Sequence, residues 1–236
     1  MQAIFHWHSF VEILSWDLRI LVDPFVDGNI HCDVSVEQIL AQPVSAVIVT
    51  HWHDDHIWCT AEISEQYGCQ IISSYELGQY FTQHLWLDNV STQGIWWSVE
   101  YDGFRVKLFQ ARHGWWIADM SSGITTVAAG AIITIWEYVV YHAGDTWLFG
   151  DMKLLGEYYD IDVAFLPIGD RYTMWVSDAV IAASWIQPKY AVPIHYNTRD
   201  IIKADDMEFA RLVMLGNHAV PKVLKPWQWV VMEQST

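Results

Sequence analysis

Apolar and polar positions alternate from the start of the chain. Residues 3–22 alternate around Ser15-Trp16-Asp17 before reaching Asp23-Pro24, which predicts a hairpin with one buried face. Residues 44–50 (VSAVIVT) form a short, wholly apolar, β-branched run, as in a strand covered on both faces. Helical spacing over 60–67 and 75–84 flanks a predicted strand at 69–73, a β-α-β-α passage. A second hairpin is predicted over 96–111, turning at Asp102-Gly103, and a third over 128–142. Helices predicted at 149–158, 177–185 and 205–215 then alternate with strands at 163–167, 190–194 and 222–224. The chain carries no repeat and no low-complexity linker, so one domain spanning 1–236 is expected. A β-rich first half followed by β-α alternation fits two mixed sheets packed as a sandwich with helices outside.

Composition supports a folded enzyme-sized domain. Hydrophobic residues make up 53% of the chain and charged residues 17%, which argues against disorder. Apolar runs fall short of the ~18 residues a membrane span needs, and the first residues lack a basic start and a cleavage site. No membrane association and a cytoplasmic location are the expectation. A formal charge of −16 repels phosphate backbones and makes nucleic acid a poor partner. Cys32, Cys59 and Cys69 are an odd set without CxxC spacing, and read as buried small hydrophobes. The anomaly is fifteen tryptophans, several where a turn residue is expected; left exposed, they would favour homo-oligomers.

The segment Thr50-His51-Trp52-His53-Asp54-Asp55-His56 packs three imidazoles and a carboxylate immediately after the buried strand. His51 and His53 can share one ion, while Asp55 and His56 can reach a second. Imidazole with carboxylate suits zinc, and also manganese or iron. Three later segments each add a candidate at a predicted strand end: His113 after QAR, Asp145 within YHAGDT, and His195 within PIHYN. Singly each is weak, but HxHxDH followed by His, Asp and His completes two coordination shells.

On these segments the sequence resembles the metallo-β-lactamase superfamily, in particular the small UPF0173-like metal-dependent hydrolases related to ascorbate-phosphate lactonases. The resemblance extends from FHWHS and LVDPF through THWHDDH to YHAGDTWLFGDMKLLGE, DVAFLPIGDRYTM, PIHYNT and VLKP, nearly the whole chain. It implies an α/β four-layer αββα sandwich of two mixed sheets with a binuclear metal site at one edge. It further implies that His51, His53 and His113 hold one metal, that Asp55, His56 and His195 hold the other, and that Asp145 bridges both. By the same resemblance His8 lies near the pocket as an outer contact or a substrate contact, His142 packs or orients, and Asp23 fixes the tautomer of a ligand histidine.

The function implied is hydrolysis of a small ester, lactone or phosphorylated substrate. Two divalent ions roughly 3.5–4 Å apart, zinc by preference and otherwise manganese or iron, would share a hydroxide. Asp55 and His8 are the candidate catalytic groups, with Asp55 moving a proton to the leaving group. No GxSxG elbow and no cysteine-histidine pair offers a covalent alternative. A metal-binding but inactive protein and a nuclease of the same superfamily are the competing readings; the acidic balance disfavours the second. Arg112, Arg171, Arg199 and Lys153 lie near the motif segments and could meet a substrate anion. The chain departs from the family pattern where tryptophan replaces the usual glycine, at Trp7, Trp58, Trp147, Trp175 and Trp227. Trp7, Trp58 and Trp147 are then candidates for a pocket wall, whereas Trp52 can point away from the metals. If φ is positive at such positions, each tryptophan costs about 1–2 kcal/mol; either the positions tolerate ordinary backbone or the chain is altered from a natural sequence.

Overall fold

The computed structural model describes residues 1–114 and 125–233. The first sheet is built from β1 (Gln2–Phe5), β2 (Val11–Ser15), β3 (Leu18–Val22), β4 (Ala46–Ile48), β5 (Gln70–Ser74) and β6 (Val90–Gln93). The second holds β7 (Ser98–Tyr101), β8 (Phe104–Gln110), β9 (Ala129–Ile135), β10 (Tyr138–His142), β11 (Val163–Pro167), β12 (Tyr190–Ile194) and β13 (Val220–Pro221), after which β14 (Trp229–Val231) returns to the first sheet beside β1. Hairpin pairing is antiparallel from β1 to β3 and from β7 to β10, whereas β3 to β6 and β10 to β13 run parallel. Parallel neighbours need crossovers, and the helices supply them. These are α1 (Val36–Ile39), α2 (Asp54–Ile57), α3 (Thr60–Tyr67) and α4 (Tyr75–His84) on one side, and α5 (Met152–Tyr158), α6 (Val176–Ile186) and α7 (Asp206–Gly216) on the other.

Period-2 alternation explains how four layers close. Ile20, Val22, Ala46 and Ile48 meet Val106, Leu108, Val140 and Phe165 between the sheets. Their neighbours Leu21, Val47 and Val49 point the other way, against Ile63, Leu77 and Phe81. On the far face, Ile132, Ala164 and Leu166 pack on Leu155, Ala183 and Phe209. The run VSAVIVT is therefore covered on both faces, as its composition predicts, although only Ala46–Ile48 pairs as a strand. The fold is the αββα sandwich. Among the described residues no helix is long and apolar enough to cross a membrane.

The three predicted hairpins form, with turns at Trp16-Asp17, Asp102-Gly103 and Trp136-Glu137. Gly103 takes φ +82°, the left-handed conformation such a turn demands. The strand expected at 222–224 instead pairs at Val220–Pro221, where Val220 lies opposite Tyr190. β6, β14, α1 and α2 have no counterpart in the sequence reading, because each is four residues or fewer and lacks a full period of pattern, and β1 is a third strand within the first predicted hairpin.

Tryptophan occupies strained backbone, though only partly where the sequence suggests. Trp7 and Trp227 have φ of 84° and 65°. Trp58 and Trp175, at −47° and −70°, are ordinary, and Trp147 is not among the positive-φ residues. Four further tryptophans are left-handed: Trp16, Trp86, Trp96 and Trp136. Trp86 is 81% exposed, so its ring returns little burial for the strain. Trp86→Gly is expected to raise stability by about 1 kcal/mol, the left-handed cost less the added unfolded-state entropy. Trp58→Gly, at a helical φ, gains nothing. Urea midpoints of the two variants check this, and equal shifts would refute the strain argument.

Candidate metal centre

Six strands of the two sheets end at one edge of the sandwich, and each delivers part of one cluster. β1 leads to His8, β3 to Asp23, β4 to the segment 50–56, β8 to His113, β10 to Asp145 and β12 to His195. α2 begins at Asp54 with His53 as its N-cap, which turns Asp55 and His56 back toward the strand ends. Gly144 makes the approach of Asp145 feasible: at φ +61° its missing Cβ would lie 2.7 Å from the Ala129 carbonyl oxygen. Asp23, His8 and His195 are themselves left-handed, at φ 48°, 60° and 54°. Such backbone strain concentrates where a site dictates side-chain direction.

The groups fall into two sets around Asp145. His51, His53, His113 and Asp145 form one, and His8, Asp55, His56 and His195 the other; within each set the donor atoms lie within 4.8 Å of one another. All seven expected ligands are thus brought together, and His8 joins them. In the first set, His53 Nδ1 lies 2.9 Å from His51 Nε2 and 3.2 Å from His113 Nε2. Asp145 Oδ2 is 3.9 Å from His51 Nε2 and 3.6 Å from His113 Nε2. In the second, His56 Nε2 is 3.9 Å from Asp55 Oδ1 and His8 Nε2 is 3.2 Å from Asp55 Oδ2. Asp145 joins the sets, with Oδ2 3.1 Å from His195 Nε2 and Oδ1 3.4 Å from His56 Nε2. A tetrahedral cation with metal–nitrogen bonds of 2.0–2.1 Å separates its ligands by about 3.3–3.4 Å. The observed spacings bracket that value.

Hydrogen bonds behind the rings set which nitrogen faces inward. His56 Nδ1 donates to Asp23 Oδ2 at 2.7 Å, and His113 Nδ1 donates to the Tyr172 carbonyl at 2.9 Å. Thr50 Oγ1 donates to Asp23 Oδ2 at 2.7 Å, so its oxygen accepts from His51 Nδ1 at 3.0 Å. The Thr50 amide donates to Asp23 Oδ1 at 2.8 Å. One buried carboxylate therefore fixes two imidazoles with their Nε2 lone pairs turned into the cluster. His142 donates from Nε2 to the Ser9 carbonyl and accepts the Gly144 amide on Nδ1, which leaves no nitrogen for a metal.

Burial first, then the neighbouring His195, pushes His8 down to about 4. Burial and His113 do the same to His53. His51 is also held well below the ordinary histidine range, by burial and then His56. Neutral imidazoles are the form a metal requires. Burial would raise Asp145, but the imidazoles of His195 and His56 outweigh it and hold the carboxyl well below its usual range. His56 Nε2 and Asp145 Oδ1 are buried and face each other as an ion pair at 3.4 Å, neither with any other hydrogen-bond partner. Orphaned buried polar atoms are costly, and a cation between them satisfies both.

A cleft of about 360 Å³ opens on the cluster, lined by Trp52, Asp54, Asp55, Tyr172, His195 and Arg199 among others. Trp52, which the sequence allows to turn away, is part of the wall; Trp7, Trp58 and Trp147 are not. Of the four cations near the motifs, only Arg199 lines the cleft. Lys153 lies 4.7 Å over the ring of Trp185, Arg171 lies over Tyr172, and the Arg112 amide bonds Thr146 Oγ1. Sequence reasoning missed Tyr172 and Thr198, whose Oγ1 lies 2.8 Å from His8 Nδ1. Thr198 stands two residues beyond His195-Tyr196, but nothing in the sequence marks Tyr172.

Residues 18–196 match the family model of the β-lactamase superfamily domain. A UPF0173 metal-dependent hydrolase of Bacillus thuringiensis is 41% identical over 213 residues, 89% of this chain and 91% of the relative. The solved structure of a metallo hydrolase from the hyperthermophilic archaeon Ignicoccus hospitalis superposes with a TM-score of 0.89 at 31% identity, covering 99% of both chains. A metallo-β-lactamase fold protein of Bacillus subtilis, at 11% identity, shares the fold with a TM-score of 0.72 over 97% of this chain and 98% of that one. The chain belongs to the metallo-β-lactamase superfamily. Within it, the chain is a member of the UPF0173 metal-dependent hydrolase family.

Asp23→Asn keeps the shape but removes the charge that orders Thr50, His51 and His56. Metal affinity, measured by competition with a chelator, is expected to fall about 10–100-fold. Affinity within twofold of the parent would refute the orienting role.

Proposed function

We propose that this chain hydrolyses a small ester, lactone or phosphorylated compound at a centre of two divalent cations. His51, His53 and His113 would hold one cation and Asp55, His56 and His195 the other, with Asp145 lying between the two sets. The observation that carries the reading is the pair of buried, unsatisfied atoms, His56 Nε2 and Asp145 Oδ1, facing each other between two sets of inward lone pairs. Imidazole and carboxylate donors without thiolate suit zinc, with manganese and iron as the alternatives.

When bound, the cations supply a water-derived nucleophile at neutral pH and positive charge opposite the oxygen that gains charge in the transition state. The chain's own groups do the rest. Asp55 sits at the cleft with its carboxyl held far below the ordinary range, where burial is outweighed by the hydrogen bond from His8 and the neighbouring His56. It orients the attacking water and carries its proton toward the leaving group. His8 is anchored by Thr198 on Nδ1 and presents Nε2 to Asp55 Oδ2, so it holds that carboxylate in place. Trp52 and Tyr172 narrow the cleft and exclude bulk water from the reacting bond.

Protein purified without chelator is expected to carry about two equivalents of metal and to turn over members of an ester, lactone and phosphodiester panel. Asp145→Ala is expected to lose most of the metal and all turnover, read by elemental analysis and steady-state rates. Full metal content without turnover on any panel member would favour a metal-binding protein without this catalysis. Failure of the parent protein to take up added metal would overturn the centre itself.

A further inference from the structure

Arg199 stands apart from the other basic residues. The loop beneath it is locked: the Asn197 amide donates to the Ile202 carbonyl at 2.8 Å, and the Asn197 side chain bonds the Ala204 amide at 3.0 Å and carbonyl at 3.1 Å. The guanidinium is free by contrast. Its contact among the described residues is Asp55 Oδ2 at 4.0 Å, it makes no hydrogen bond there, and the side chain is 61% exposed. It is the one cation lining the cleft among the described residues, in a chain of net charge −16. Surface cations gain little from isolated ion pairs at such distances, so its contact with Asp55 does not account for its place.

Electrostatics of the cleft favour an anion beside it. Asp54, Asp55 and Asp145 contribute three carboxylates, which two divalent cations outweigh. This rests on the metal centre proposed above. We propose that Arg199 selects substrates carrying an anionic group, carboxylate or phosphate, next to the bond that is cleaved. The guanidinium fork suits the paired oxygens that both groups present.

The test compares mono-4-nitrophenyl glutarate, an anionic ester, with neutral 4-nitrophenyl acetate, using metal-loaded parent, Arg199→Gln and Arg199→Lys. The anionic-to-neutral ratio of kcat/KM is expected to fall about 10–100-fold in the Gln variant, through KM, with metal content unchanged and partial recovery in the Lys variant. An unchanged ratio overturns the proposal. Calorimetric binding of succinate and of methyl phosphate to the same proteins separates it from the hydrolase reading. If neither these esters nor any member of the ester, lactone and phosphodiester panel is cleaved but either anion binds at least tenfold more weakly to the Gln variant, the anion site stands and the hydrolase reading falls. If neither anion distinguishes the variants, the anion site falls; if one does, that anion identifies the group.

The strained tryptophans carry a second, independent inference. Of the fourteen non-glycine residues with positive φ among the described residues, six are tryptophan, more than Asp and Asn together. Asp and Asn tolerate this region through short polar side chains, and tryptophan has no such means. Trp16, Trp86 and Trp136 are also exposed at turns, where glycine is the residue the geometry asks for. We infer that these are glycine positions in the protein as its own cell makes it, encoded by UGA, a codon read as tryptophan in some genetic codes and glycine in others. Peptide mass spectrometry of the protein from its native cells, with the sequence of its gene, decides this. UGA codons at 86 and 136 with glycine in the peptides support the inference; tryptophan in those peptides overturns it.

Discussion

The structure depends on one buried carboxylate, Asp145, set among imidazoles from both sheets. A lone carboxylate out of water is intolerable, and imidazole rings packed together repel as soon as they protonate. Asp145 sits within 3.1–3.9 Å of His195, His56, His113 and His51, so each group is acceptable because of the others. Without Asp145 four rings would lose their common partner; without the rings Asp145 would be an uncompensated charge. The arrangement leaves His56 Nε2 and Asp145 Oδ1 without hydrogen bonds, and a protein core does not ordinarily keep such a pair.

The sandwich makes that arrangement reachable. The apolar packing between the sheets holds strand ends from both at one edge, and the ligands require nothing of the strands beyond where they stop. Asp23 links the layers of the argument. Its backbone amide bonds the Ile48 carbonyl, continuing the β3–β4 pairing, while its side chain orders Thr50, His51 and His56. The same residue thus ends a strand, supports the motif that follows the next strand and sets two tautomers. Its left-handed φ of 48° is the local cost of that position.

Much of this was legible in the chain because the informative signals are local. HxHxDH after an apolar β-branched run places four donors at a strand end, and α3 and α4 follow from helical spacing alone. The loops that carry Asp145 and His195 can be named because each follows a strand with a clean pattern. What escaped was set by distant parts of the chain. Tyr172 meets His113 through a carbonyl, an atom every residue has, and Thr198 meets His8 across 190 positions. The last parallel strand was misplaced by two residues because its pairing with Tyr190 and Ala191, not its own short pattern, fixes where it lies. Backbone sign stays open in the sequence for the same reason. A glycine-like position in sequence says that glycine is common there, not that φ is positive, and Trp58 and Trp175 turn out to sit at helix ends with ordinary φ.

The placement of strain completes the account. Two groups among the left-handed residues differ in physical logic. His8, Asp23 and His195 are strained at the centre, where direction of the side chain is worth the backbone cost and neighbours hold the conformation: the His195 amide bonds the His8 carbonyl at 2.7 Å, and Thr198 secures the His8 ring. Trp16, Trp86 and Trp136 are strained at exposed positions outside the cluster, the rings of Trp16 and Trp136 meeting each other at 5.6 Å. Strain that is over-determined by its surroundings persists as part of a site. Strain on an exposed bulky ring offers the fold nothing in return, and the sensible reading is that those turns were shaped for a smaller residue while the metal centre was shaped for the residues it has.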